Sequence, residues 1–144
     1  MLVQQILNSK ETGGVLTLSP EVSVSEAVAF LSEKRVGAAV ISEDGVRPLG
    51  ILSERDVVRE LGRRGASCLS ENVTEMMTSK LVTCRPEDKA VAVLQLMTDG
   101  RFRHMPVLQG EQMVGLISIG DVVKARLNEL SMEKDALEGM IMGH

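Results

Sequence analysis

VLTLSPEVSVSEAVAFLSEKRVGAAVI (Val15–Ile41) lies over LVTCRPEDKAVAVLQLMTDGRFRHMPV (Leu81–Val107) without a gap, at an offset of 66 residues. Thr17 meets Thr83, Pro20 meets Pro86, Leu31 meets Met97 and Arg35 meets Arg101. One residue is then lost in a loop. At an offset of 65, PLGILSERDVVRE (Pro48–Glu60) falls on MVGLISIGDVVKA (Met113–Ala125), with Gly50 on Gly115, Ser53 on Ser118 and Asp56 on Asp121. Self-similarity at a fixed spacing is the mark of one supersecondary unit used twice.

Each copy reads as β-α-β-β-α. A short apolar segment (Leu16–Leu18, Val82–Cys84) leads to a proline turn. A helix follows, with Ala27, Phe30 and Leu31 in one copy and Ala90, Val93, Leu94 and Met97 in the other at helical spacing. Two strands come next (Ala38–Ile41 and Leu49–Leu52; Met105–Leu108 and Met113–Ile117), joined through Asp44-Gly45 or Gln109-Gly110. The last strand runs into a helix that starts at Ser53 or Ser118. The expected fold class is α+β, because a small unit of this kind leaves a sheet face to be covered by its twin. The expected segments are 1–62 (first repeat with an N-terminal helix), 63–72 (linker), 73–126 (second repeat) and 127–144 (a helical extension).

A chain of 144 residues with 44% hydrophobic and 25% charged residues is globular in composition. It can bury about 68–70% of its unfolded surface without a staple. The net charge of −4 provides no long-range pull toward phosphate backbones or anionic lipid. Phe30 and Phe102 are the only aromatics, so the stacking platform of single-strand binders is missing. Nucleic acid and membrane are therefore not expected as partners. Cys68 and Cys84 form no C-x-x-C and suggest neither a disulfide framework nor a zinc site. No signal segment and no apolar run of about 18 residues is present, which makes the cytoplasm the expected compartment.

Ser53–Asp56 (SERD) and Ser118–Asp121 (SIGD) each follow a G-[IL]-[LI] strand and open a helix. One reading is a capping box, worth about 1 kcal/mol to the helix. The other is a ligand site: the carboxylate takes two ribose hydroxyls, while the serine hydroxyl and the free N–H groups of the helix start meet a phosphate. Gly50 and Gly115, just upstream, would let a ligand approach the backbone closely. The second copy adds RFRHMPV (Arg101–Val107), a basic cluster that can serve a phosphate; the aligned RVGAAV of the first copy holds only Arg35. His104 has no second ligand at metal-coordinating spacing.

Taken together, these stretches resemble CBS (cystathionine β-synthase type) domain pairs, from about Leu2 to Arg126. The resemblance implies two β-α-β-β-α halves packed through their sheets, a regulatory rather than catalytic role, and an adenosine-type ligand (AMP, ADP, ATP, an NAD-type molecule or S-adenosylmethionine) in the clefts between them. It implies that Asp56 and Asp121 hold ribose, that Ser53 and Ser118 lie on the phosphate side, and that the backbone at Thr17 and Thr83 reads the adenine edge; Arg55 is a further candidate ligand-binding residue. Val36, Gly37 and Ala38 become one cleft wall, and Arg103, His104, Met105 and Pro106 the other. Because Gly37-Ala38 stands where the second copy has Arg103-His104, the two clefts should differ in charge. No covalent cofactor, metal or catalytic residue is expected: the chain has two histidines, His104 and His144, and no nucleotide-binding glycine fingerprint.

VTEMM in the linker region resembles the lead-in of a repeat, with Val3–Leu7 as its counterpart. Met76 and Met77 are expected in the core and Cys68 on an exposed loop. Beyond the second repeat, Val123, Leu127, Leu130, Lys134, Leu137 and Ile141 form one stripe at 4-3-4-3-4 spacing. It either folds back on its own core or packs against a second subunit; a homodimer is the expectation. A nucleotide sensor that signals to a target protein, and a ligand-free scaffold with vestigial clefts, both fit the sequence.

Overall fold

The computed structural model describes residues 1–10 and 15–142. A short helix α1 (Val3–Ser9) comes first. The first repeat supplies β1 (Thr17–Leu18), α2 (Val24–Lys34), β2 (Ala38–Ile41), β3 (Gly50–Ser53) and α3 (Glu54–Arg64). After 3₁₀ turns at Ala66–Ser70 and Val73–Glu75, the second repeat supplies α4 (Ala90–Gly100), β4 (His104–Gln109), β5 (Gln112–Ser118) and the long α5 (Ile119–Ile141). The fold class is the expected α+β, and the first repeat shows the expected β-α-β-β-α order with strand ends shifted by a residue or so; in the second repeat the expected strand Val82–Cys84 is reduced to an isolated bridge at Cys84.

Local chemistry sets the boundaries. Ser23 caps α2 by accepting the Glu26 N–H. α2 and α4 both end on an arginine in left-handed backbone, Arg35 and Arg101, each with φ 55°. The Val36 N–H reaches back to the Leu31 carbonyl (3.1 Å) and the Phe102 N–H to that of Met97 (3.2 Å), closing the last turns. A side chain in this region costs about 1–2 kcal/mol. Both copies accept that cost at the same point, where the chain must reverse into a buried strand.

The sheets differ between repeats for one covalent reason. β1 pairs in parallel with β2 (Thr17 with Val40, Leu18 with Ile41), and β2 pairs antiparallel with β3 (Ala38 with Ser53 through Ile41 with Gly50). There Val40 donates to the Leu16 carbonyl and Ser42 to that of Leu18. In the second repeat Pro106 stands at the position of Val40 and has no N–H to donate. Among the described residues a single parallel bridge, Cys84 with Val107, forms beside the β4–β5 pair.

The chain divides into two compact units that cut across the repeats: 1–13, 83–109 and 115–144 in one, 14–82 and 110–114 in the other. The lead-ins are exchanged. Val3 and Ile6 of α1 join Val93, Met97, Met105, Val107, Ile117 and Val122 in the second-repeat core. Val73 and Met76 join Val24, Ala27, Ile41, Leu52 and Val57 in the first-repeat core. The turn residues Gly110–Val114 belong with the first-repeat unit, where the Met113 N–H donates to the Val46 carbonyl (2.8 Å).

Gly50 and Gly115 serve this exchange. A Cβ on Gly50 would lie 2.5 Å from Met77 Sδ and 2.9 Å from the Thr78 carbonyl oxygen. A Cβ on Gly115 would lie 2.5 Å from Leu7 Cδ2. The close approach that both glycines allow is taken up by a lead-in, and not left open for a ligand. Thr78 and Ile51 then exchange two backbone hydrogen bonds of 2.9 Å.

In the connecting segments, Met76 is buried and Met77 packs at the core edge, as expected. Cys68, expected on an exposed loop, is fully buried, because the 3₁₀ turn at Ala66–Ser70 rolls its small apolar side chain under α2 and α3. The stripe of α5 does not fold back: Leu127, Leu130, Leu137 and Ile141 stay exposed. The last two residues of the 127–144 extension lie outside the described residues.

Gly50→Ala should destabilise the chain by about 1–3 kcal/mol in thermal or urea unfolding, since backbone and sulfur both stand in the way. Gly115→Ala should cost less, because its obstacle is the flexible end of Leu7.

Candidate ligand-binding site

In the first-repeat unit, Ser53 ends β3 in extended backbone and starts α3. Its Oγ accepts the Asp56 N–H (3.3 Å) and donates to Asp56 Oδ2 (3.1 Å), and its own N–H donates to Oδ2 (3.0 Å). Arg59 donates to Oδ1 (3.0 Å). Asp56 is only 6% exposed, and each of its carboxylate oxygens already accepts at least one bond. The capping box is complete, and it seats a charge in the core rim by giving it partners. Arg55 is exposed on the first turn of α3.

Thr17 lies on the outer strand of the β1-β2-β3 sheet. The carbonyls on either side of it, Leu16 and Leu18, bond to β2 and its next residue. By strand alternation the Thr17 carbonyl points to the open edge. Ala38 is buried in β2, whereas Val36 and Gly37 are half-buried before it. Val36 and Gly37 line a cleft of about 540 Å³ with Val28, Leu31, Arg35 and Val57. It opens between the end of α2 and the start of α3, with Ser32, Glu54 and Val58 also in its lining. Ser53, Asp56 and Thr17 do not line this cleft.

The second-repeat unit repeats the construction with different partners. Ser118 caps α5, accepting the Asp121 N–H (3.1 Å), and its own N–H donates to Asp121 Oδ2 (2.8 Å). Here the second partner is Lys10, whose Nζ donates to the same Oδ2 (2.9 Å) and to the Leu116 carbonyl (2.8 Å). Among the described residues, the bonds this carboxylate accepts from the Ser118 N–H and from Lys10 both fall on Oδ2. Burial opposes the charged form, and is outweighed by the bonds from Ser118 and Lys10, so Asp121 ionises below the usual carboxylate range.

The Arg103 carbonyl accepts the Ile119 N–H (2.8 Å), just as the Gly37 carbonyl accepts that of Glu54 (2.9 Å). Arg103 is exposed and His104 half-buried at the start of β4. Met105 and Pro106 are buried, with Met105 in the core cluster. Thr83 is exposed next to the Cys84–Val107 bridge, its place in the repeat matching that of Thr17. Cys84 itself is buried, which pushes its thiol up to about 12, and the Asp88 charge adds to the effect. Such a thiol is inert.

Sequence reading missed Lys10 and the cleft residues of α2 and α3. Nothing local marks Lys10, which lies 111 residues from Asp121. Arg35 could have been noticed through its pairing with Arg101.

The Lys10–Asp121 pair is tied to pH by a depressed carboxylate. Its stabilisation is complete above the unfolded value of about 3.9 and fades as pH falls through the lower folded value. Lys10→Met should therefore raise the Asp121 midpoint in a carboxyl NMR titration and move acid unfolding to higher pH. An unchanged midpoint would remove Lys10 as a cause.

The CBS domain profile matches residues 6–63 and 73–128. A mitochondrial CBS domain-containing protein of Arabidopsis thaliana is 36% identical over 98% of this chain and 72% of its own length. A CBS domain-containing protein of Bacillus subtilis is 30% identical, covering 85% of this chain and 84% of its own. Among solved structures, a CBS-domain protein of Agrobacterium tumefaciens superposes with a TM-score of 0.82 at 38% identity, over 88% of this chain and 99% of that one. A CBS domain pair in complex with 5′-methylthioadenosine and S-adenosyl-L-methionine has a TM-score of 0.77 at 18% identity, over 90% and 98%, and bears on the fold alone. Two profile matches, laid on the two halves of one internal repeat, place this chain in the CBS domain family.

Proposed function

We propose that this chain is a non-enzymatic regulatory module that binds an adenosine-type nucleotide and signals to a target protein. The candidates are AMP, ADP, ATP, NAD(H) and S-adenosylmethionine. The observation that carries the reading is that both repeats hold the same three features: a serine-capped helix start, an acid at its third position, and a threonine on the segment that opens the repeat. A CBS domain pair of the same fold is solved with adenosine ligands, which shows what that fold can hold. We assign the stronger site to the second repeat. There, among the described residues, the bonds that Asp121 accepts from Lys10 and from the Ser118 N–H both fall on Oδ2, and Arg103 and His104 stand at the strand start; in the first repeat both oxygens of Asp56 are engaged. Asp121 and Thr83 would hold ribose and adenine, with Ser118 and Arg103 on the phosphate side.

In this reading the chain acts as a homodimer in a reducing compartment, the cytoplasm by our assignment; the name of the Arabidopsis relative places that protein in mitochondria. Among the described residues no helix is long and apolar enough to cross a membrane. The rival reading is a scaffold without ligand, and one observation favours it: capping already accounts for both Ser-x-x-Asp motifs.

A thermal-shift and calorimetric screen of the five ligands decides between them. A ligand at 100-fold its dissociation constant should stabilise the fold by about 2.7 kcal/mol. Asp121→Asn, which keeps a capping oxygen, should abolish most of that gain, and Asp56→Asn should leave most of it. No shift with any ligand would leave the scaffold reading; a shift surviving both substitutions would remove the carboxylates from the site.

A further inference from the structure

The family match ends at residue 128, yet α5 continues as helix to Ile141. From Leu130 to Glu138 no face of the helix is covered, every residue being exposed. Closer to the second-repeat core, Val122 and Ala125 are buried, and Glu129 takes the Met1 amino group (2.7 Å) and Arg126 (3.0 Å). Those contacts fix one side of the helix against its own unit. The stripe lies on another side, with Leu127 61%, Leu137 59% and Ile141 84% exposed. A bare helix of this length is marginal in water, and a leucine stripe does not help it there.

We propose that this stem pairs antiparallel with the stem of a second copy of the chain. The proposal rests on the homodimer reading above and fixes its contact and orientation. In an antiparallel pair, Leu127 meets Leu137 of the second copy, Val123 meets Ile141, and Leu130 meets Lys134, the same layers recurring on both sides of the twofold axis. Lys134 lays its methylenes across Leu130 and carries its amine to the rim. On one flank, Lys124 of each copy then faces Glu138 of the other. On the opposite flank a single Glu133–Glu133 pair meets in solvent. A parallel pair would instead stack Lys134 on Lys134 in the seam and set Glu133 against Glu138 twice. The charges select the antiparallel arrangement.

Sedimentation equilibrium of the full chain without nucleotide tests this. The chain should dimerise. Leu130→Glu with Leu137→Glu should raise the dissociation constant at least tenfold while cooperative thermal unfolding of the repeats is retained. Glu138→Lys alone and Lys124→Glu alone should each weaken the dimer severalfold, and the two together should restore it. A monomer at all concentrations overturns both the proposal and the homodimer reading. A dimer indifferent to the stripe substitutions overturns the stem contact and leaves a homodimer through another face. A dimer tightened by Glu138→Lys overturns the antiparallel orientation.

Discussion

Two strands in this chain are each crossed at a residue without a side chain, and the rest of the structure follows from what crosses them. Met77 and Thr78 press on Gly50, and Leu7 presses on Gly115, at distances that leave no room for a methyl group. Each crossing brings in a lead-in whose buried pair, Val73 with Met76 or Val3 with Ile6, closes the core of the repeat it covers. Burying such a side chain contributes about 1.5–3 kcal/mol. For domains that hold only about 5–15 kcal/mol in total, four such residues are decisive. The crossing also fixes where Lys10 comes to rest, and hence the partner of Asp121.

The Ser-x-x-Asp motif caps a helix in both repeats, and the geometry of that cap sets where its carboxylate points. A carboxylate at the third position of a helix must face back toward the cap to accept the serine N–H. That same turn points it toward the strand end and the first free N–H groups of the helix. What separates the two copies is the second partner: Arg59 on the other oxygen of Asp56, Lys10 on the same oxygen of Asp121. Equivalent motifs thus come out electrostatically different, for reasons that lie outside the motifs.

Most of the fold was legible because the repeat could be read against itself. The strands of the first repeat, the β4–β5 hairpin, both serine caps and the burial of Met76 followed from the aligned stretches and the lead-in they flank, whereas the expected strand at Val82–Cys84 shrank to one bridge. Pro106 carried a signal as well: a proline opposite Val40 announces a missing donor and a weaker ladder. The exchange of the lead-ins was not legible, since a short apolar run such as VQQIL has the same pattern whichever core receives it. For the same reason Lys10 could not be foreseen beside an acid 111 residues away. Cys68 was misplaced because a polar, serine-rich neighbourhood masks one inward turn of a 3₁₀ segment. Of the candidate wall residues, Ala38 and Met105 are apolar and buried, as core strands require, whereas Arg103 remains exposed.

The exchanged lead-ins also order events during synthesis. Helix α1 leaves the ribosome ahead of both repeats, yet the core that receives it includes Val107, Ile117 and Val122. At about 5–20 residues per second, α1 waits roughly five to twenty seconds for those residues to appear. The first-repeat unit is nearly complete once Thr78 has emerged, and lacks little beyond the Gly110–Val114 turn. Helix α1 is therefore made before the first repeat, and the core that receives it is complete only after that repeat is.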